Sequence, residues 1–97
     1  MQIKVNVKFF GVLRKSAGKE KVEVILKQPA NIKNLIQELI EKFPKEFGEN
    51  LIDAELKDPR PNALILINNR EINVLNGLET SLKEGDEIIF IPVTHGG

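Results

Sequence analysis

The chain has 97 residues, 14 basic against 14 acidic, and 41% of it is hydrophobic. That length holds one domain with one core, and a formal net charge of zero argues against a nucleic-acid binder, whose affinity needs a basic excess. Cysteine is absent and His95 is the only histidine, which excludes disulfides, thiolate metal sites, a cysteine nucleophile and multi-histidine metal centres. No apolar run approaches the roughly 18 residues that span a membrane, and no apolar leader follows a basic start. The expected setting is therefore cytoplasmic, with no membrane and no nucleic-acid partner.

Residues 2–10 alternate. Ile3, Val5, Val7 and Phe9 share one face, while Gln2, Lys4, Asn6 and Lys8 share the other, as in a half-buried strand. Phe10 breaks the pattern by placing a ring on the polar face. Residues 11–19, with Ser16-Ala17-Gly18, read as the turn region of a hairpin, and 21–27 alternate again through Val22, Val24 and Leu26. Pro29 ends that strand because it has no amide proton to give a ladder.

Asn31 can cap a helix. Ile32, Leu35, Ile36, Leu39, Ile40 and Phe43 then recur at spacings of three and four, opposite a face carrying Lys33, Gln37, Glu38 and Glu41. Pro44 stops this helix. Residues 45–62 read as irregular, with a short helical turn around Phe47-Gly48 and Leu51-Ile52 and a loop at Asp58-Pro59-Arg60-Pro61. Residues 63–67 are an apolar run suited to a central strand. Asn68-Asn69-Arg70 is a tight turn, 71–74 a short strand, Asn76-Gly77 another turn, and 87–93 the last strand. Residues 94–97 remain as a flexible tail after a 1–93 domain.

This order predicts a two-layer α+β unit. It fits the β-grasp (ubiquitin-like) arrangement: a mixed sheet of four to five strands packed on one long helix, with the first and last strands side by side and parallel. Such a sheet turns Ile88 and Phe90 toward the helix and leaves Ile89, Ile91 and Val93 outward beside Leu64 and Leu66. Together with Phe10 these make an apolar patch next to the tail, the kind of surface that marks a partner site. The alternative is that residues 45–61 fold over the patch and bury it.

Three stretches carry a resemblance: Lys8-Phe9-Phe10-Gly11-Val12-Leu13-Arg14, Ile65-Leu66-Ile67-Asn68-Asn69-Arg70-Glu71-Ile72, and Leu82-Lys83-Glu84-Gly85-Asp86-Glu87-Ile88-Ile89-Phe90-Ile91-Pro92-Val93 with its Gly96-Gly97 ending. Over essentially the whole chain, and in matching order, they resemble the small subunit of molybdopterin synthase (MoaD) and its relatives. Those relatives are the thiamine sulfur carrier ThiS, the ubiquitin-related modifier and the archaeal small modifier proteins. The His95-Gly96-Gly97 ending is similar to the ubiquitin-related modifier, whereas the molybdopterin branch more often has Ser or Thr before the glycines. The added segment at 45–61 makes the chain long for the thiamine branch.

The resemblance implies a protein that is not an enzyme on its own. Its Gly97 carboxylate is adenylated by an E1-like enzyme (MoeB/ThiF type) and converted to a thiocarboxylate. The sulfur then goes to molybdopterin through a synthase large subunit (MoaE type), or to tRNA thiolation, or the carrier is conjugated to lysines. ATP and Mg2+ belong to the activating enzyme, and this chain binds no cofactor and no metal. The chemistry suits the residue type: glycines without Cβ atoms can thread a narrow channel, at a cost in chain entropy. The resemblance also places Phe10, Arg14, Leu64, Leu66, Ile89, Ile91, Val93 and His95 at or near partner contacts. For Arg14 the plainer reading is a solvated loop arginine, for His95 a passive tail residue, and for the two glycines a frayed terminus.

Overall fold

The alternation at the start of the chain becomes β1 (Gln2–Phe9), with Ile3, Val5, Val7 and Phe9 all buried. β2 (Lys21–Lys27) pairs with it antiparallel, Gln2 opposite Lys27 and Lys8 opposite Lys21. The computed structural model describes residues 1–93. The remaining elements are α1 (Gly11–Ala17), α2 (Ile32–Lys42), α3 (Lys45–Leu51), β3 (Ala63–Ile67), β4 (Arg70–Glu71) and β5 (Glu87–Pro92).

The five strands form one mixed sheet in the order β2-β1-β5-β3-β4. β5 lies in the middle, parallel to β1 and antiparallel to β3. This is the expected β-grasp layout. Its helical layer differs from the expectation of a single long helix, since three α-helices are present among the described residues.

The first helix replaces the predicted turn region. Phe10 stays extended (φ −125°, ψ 161°) and its carbonyl accepts from the Leu13 and Arg14 amides, which starts α1. Leu13, Ser16 and Ala17 then fall on one buried face. The Ser16-Ala17-Gly18 signal is real, but it is a C-cap: Gly18 sits at φ 74° and its amide donates to the Arg14 carbonyl. Short polar stretches between strands read as turns because three or four apolar residues are too few to show a helical period.

In α2 the cap is reciprocal. The Asn34 amide donates to Asn31 Oδ1 at 2.8 Å, and the Asn31 amide donates to Asn34 Oδ1 at 2.9 Å. Replacing Asn31 by Ala should cost about 1 kcal/mol, read as a lower unfolding midpoint in urea with an unchanged slope. Ile32, Leu35, Ile36 and Leu39 are buried, but Ile40 is exposed although it lies on the predicted stripe.

The 45–62 segment is more ordered than predicted. Lys45–Leu51 is a helix, and its Phe47 and Leu51 reach the core. Phe47 meets Phe9 edge-on at 5.2 Å between ring centroids. The segment thus packs on the helical side of the sheet and leaves the outer face open. Arg60 holds Asp58 at 2.6 Å, and that hydrogen bond keeps the Asp58 carboxyl below its ordinary range.

The predicted strand at 71–74 is cut short. Asn68 and Asn69 both take positive φ (48° and 69°), making a two-residue hairpin turn that pairs Ile67 with Arg70 and Leu66 with Glu71. The chain then leaves the sheet as a 3-10 turn, Ile72–Val74, because Ile72 is buried and the Glu71 carboxylate captures the Asn73 amide.

Candidate functional site

Pleating sorts the sheet into two faces. Val7, Phe9, Ile65, Ile67, Ile88 and Phe90 lie in the core on the helical side. The register then fixes two rows on the outer face. Lys8 is opposite Ile89, which is opposite Leu66. One step along, Ile91 is opposite Leu64, with Phe10 just past the end of β1. Phe10 and Leu64 are each 38% exposed and Val93 is 42% exposed, while Leu66, Ile89 and Ile91 are half-buried. The six apolar residues predicted for the patch therefore share one side of the sheet at the end where the chain leaves β5. The other half of that face, on β1 and β2, is mostly polar, with Lys4, Asn6, Lys21 and Glu23 around the exposed Ile25.

The exit of β5 is held on two sides. The Val93 amide donates to the Asn62 carbonyl at 2.9 Å, and the Phe10 amide donates to the Phe90 carbonyl at 3.2 Å. Gly11 lies against Pro92: a Cβ there would stand 3.1 Å from Pro92 Cγ, and its φ of 53° is one that side chains resist. So Asn62, Gly11 and Pro92 fix the chain as far as Val93, and none was singled out by sequence reasoning. Gly11 had the only usable signal, a glycine directly after the pattern-breaking Phe10.

Lys8 is a second unanticipated member. Its Nζ lies 5.0 Å from the centroid of the Phe10 ring, so a cation borders the apolar patch. Arg14 is exposed on α1 and lines, with Lys15, Lys19 and the single acid Glu20, a shallow depression beside Gly11 and Gly18. None of these three cations makes a salt bridge among the described residues. That leaves a local basic surface suited to an acidic partner, next to the apolar one. His95, Gly96 and Gly97 lie outside the described residues.

Among the described residues no group of three or more His, Asp or Glu side chains is placed to hold a metal, and no helix is long and apolar enough to cross a membrane. Among the described residues the site is a surface and an exit.

The ThiS family model matches residues 7–97. The chain belongs to the ThiS family. The molybdopterin synthase sulfur carrier subunit of Mycobacterium tuberculosis is 30% identical over 96 residues, covering 98% of this chain and 99% of that one. Ubiquitin-related modifier 1 of Mus musculus is 34% identical over 83 residues, covering 82% and 80%. Among solved structures, small archaeal modifier protein 1 of Methanosarcina acetivorans superposes with a TM-score of 0.80 at 30% identity, covering 100% of this chain and 99% of that one. The ThiS-family match runs from Val7 to Gly97, so it takes in β5, the exit and the two glycines together.

Proposed function

We propose that this protein is a sulfur carrier whose Gly97 carboxylate is the working group, and that it serves as the small subunit of molybdopterin synthase. The observation that carries this reading is the placement of an exposed apolar face and a surface with three cations to one acid beside the exit of β5, ahead of the Gly96-Gly97 ending. One surface docks the partner, and the ending reaches its active site.

The chemistry needs no side chain of this protein. A Gly97 carboxylate oxygen attacks the α-phosphorus of ATP, pyrophosphate leaves, and an acyl-adenylate forms. A persulfide sulfur on the sulfur-donating partner attacks the carbonyl carbon and AMP departs. A thiol then reduces the resulting acyl disulfide, leaving a thiocarboxylate on the carrier. The E1-like enzyme supplies the Mg2+ and the nucleotide site. Removing the free carboxylate removes the reaction.

Mass spectrometry after incubation with an E1-like enzyme, ATP and a persulfide donor tests this directly. Exchange of one oxygen for one sulfur at Gly97 supports the carrier; adenylation with no sulfur uptake overturns it.

A second reading is a carrier for tRNA thiolation, or a modifier joined to lysines through the same acyl-adenylate. It is favoured by the His95-Gly96-Gly97 ending and by the similarity to the mouse ubiquitin-related modifier. Copurification with a molybdopterin synthase large subunit selects the first reading, and isopeptide-linked Gly97 on target lysines selects the second.

The docking face has its own test. Phe10→Asp should weaken binding of the E1-like enzyme about tenfold or more, since exposed aromatic anchors dominate interface energetics. The domain should stay folded, because Phe10 is the N-cap of α1 and Asp is a favoured residue there. Unchanged affinity, measured by titration calorimetry with an unchanged unfolding midpoint, would remove the patch from the docking surface.

A further inference from the structure

The second exposed feature of the sheet is its free edge. β2 is the terminal strand, with β1 on one side and no strand on the other among the described residues. The ladder shows which backbone groups point outward. The Phe9 amide donates to the Glu20 carbonyl, and the Gln28 amide donates to the Met1 carbonyl, both at 2.9 Å. In an antiparallel ladder hydrogen-bonded pairs alternate, so residues 20, 22, 24, 26 and 28 bond inward to β1. Lys21, Glu23, Ile25 and Lys27 therefore present their amides and carbonyls to the open edge. Their side chains share the outer face, and Ile25 is 58% exposed.

We infer that this edge is a pairing surface for a second copy of the chain, joined antiparallel about a two-fold axis at Ile25. Two copies of one strand pair through the same patch, so each register is self-complementary or self-repelling. Three two-fold registers place three or more of the outward residues of β2 opposite one another. Centred on Glu23, the register sets Glu23 against Glu23. Centred on Val24, it sets Lys21 against Lys27 twice. Centred on Ile25, it sets Glu23 against Lys27 twice and Ile25 against Ile25. Directly opposed like charges destabilise a strand pair and opposite charges stabilise it. Only the Ile25 register is free of like-charge pairs, and it also covers the exposed isoleucine.

Charged residues on an edge strand ordinarily prevent indiscriminate pairing. Here Lys21, Glu23 and Lys27 block two registers and leave the third open. β2 ends at Lys27, so Pro29, which lacks an amide proton, lies beyond this ladder and removes no donor from it. On the helical side, Glu38 and Glu41 with Lys42 border the groove beneath Ile25. Each copy brings the same two carboxylates, which keeps the pair weak and reversible. A two-fold axis normal to the sheet leaves both outer faces on one side, so Phe10, Leu64 and the β5 exit of each copy stay free.

Sedimentation equilibrium of the full chain up to about 1 mM, suited to an interface of this small size, reads the association. Glu23→Lys alone and Lys27→Glu alone should each weaken it about tenfold, by turning two attractive pairs into two repulsive ones. The Glu23→Lys, Lys27→Glu double variant should restore it. Phe10→Asp should leave it unchanged. A chain that stays monomeric at 1 mM overturns the inference. So does a double variant that fails to recover, a tighter pair in Lys27→Glu (the Val24 register), or an association abolished by Phe10→Asp, which would place the contact on the apolar face.

Discussion

A chain lengthened by a single alanine beyond Gly97 is expected to form no thiocarboxylate at all. The extension converts the Gly97 carboxylate into an amide, whose oxygen carries no full charge with which to attack ATP. The new terminal carboxylate is displaced by one residue and carries a Cβ at the position where the carrier offers none. Both changes act on the reacting atoms, so the effect is a loss of the reaction instead of a graded slowing. Catalytic geometry tolerates little displacement of this kind, since about 1 Å of misplacement already costs roughly a hundredfold. The core residues all lie upstream of the tail, so the unfolding midpoint should not move. The measurement is intact-protein mass analysis after reaction with the E1-like enzyme, ATP and a persulfide donor, with the unextended chain beside it. Sulfur uptake by the extended chain would sink the proposal that Gly97 is the acceptor.

Phe9→Ala should remove about 3–5 kcal/mol of stability. Phe9 is fully buried and its ring meets three others, Phe47 at 5.2 Å, Phe43 at 5.6 Å and Phe90 at 5.9 Å between centroids. Those rings come from β1, α3, the end of α2 and β5. The truncation therefore opens a cavity where the sheet, the long helix and the 45–51 helix join, and packing on all sides limits collapse into it. A single domain of this size has a total stability of about 5–15 kcal/mol, so the loss is a large share of the whole. Urea unfolding followed by far-UV circular dichroism reads it. A loss under about 1.5 kcal/mol would mean that the aromatic cluster is not the centre of the core.

The contrast between Phe9 and Phe10 shows how function and stability divide on this fold. The two residues are neighbours, yet one ring is fully buried among aromatics and the other is 38% exposed beside Lys8. The alternation of β1 was enough to separate them, because a strand sends successive side chains to opposite faces. Phe10 stood out as the residue that violates the polar face.

The longer strands and the long helix were legible because each depends on short-range patterning, and the parallel pairing of first and last strands was expected from the β-grasp arrangement that fits their order. Ile3 to Phe9 alternate with a period of two, Ile32 to Leu39 recur at helical spacing, and Asn31 announces its cap. Likewise the outward set Leu64, Leu66, Ile89 and Ile91 follows from alternation once the strands are assigned. Other features needed the folded chain. α1 has only Leu13 and Ala17 as apolar anchors, and α3 only Phe47 and Leu51; two anchors give no period, and both helices exist because of what they pack against. The destination of residues 45–61 was likewise undetermined, until Phe47 was found against Phe9 on the helical side, leaving the outer face uncovered. The exit of β5 depended on Asn62, Gly11 and Pro92, which are far apart in sequence and meet only in the sheet. The sequence by itself determined which residues of the long strands face outward and that Gly96 precedes Gly97 downstream of β5, since local periodicity and covalent order are properties of the chain alone. The tertiary structure decided that the apolar face stays open, that cations gather beside it and that β2 is left as a free edge, since each is a matter of which distant segments come together.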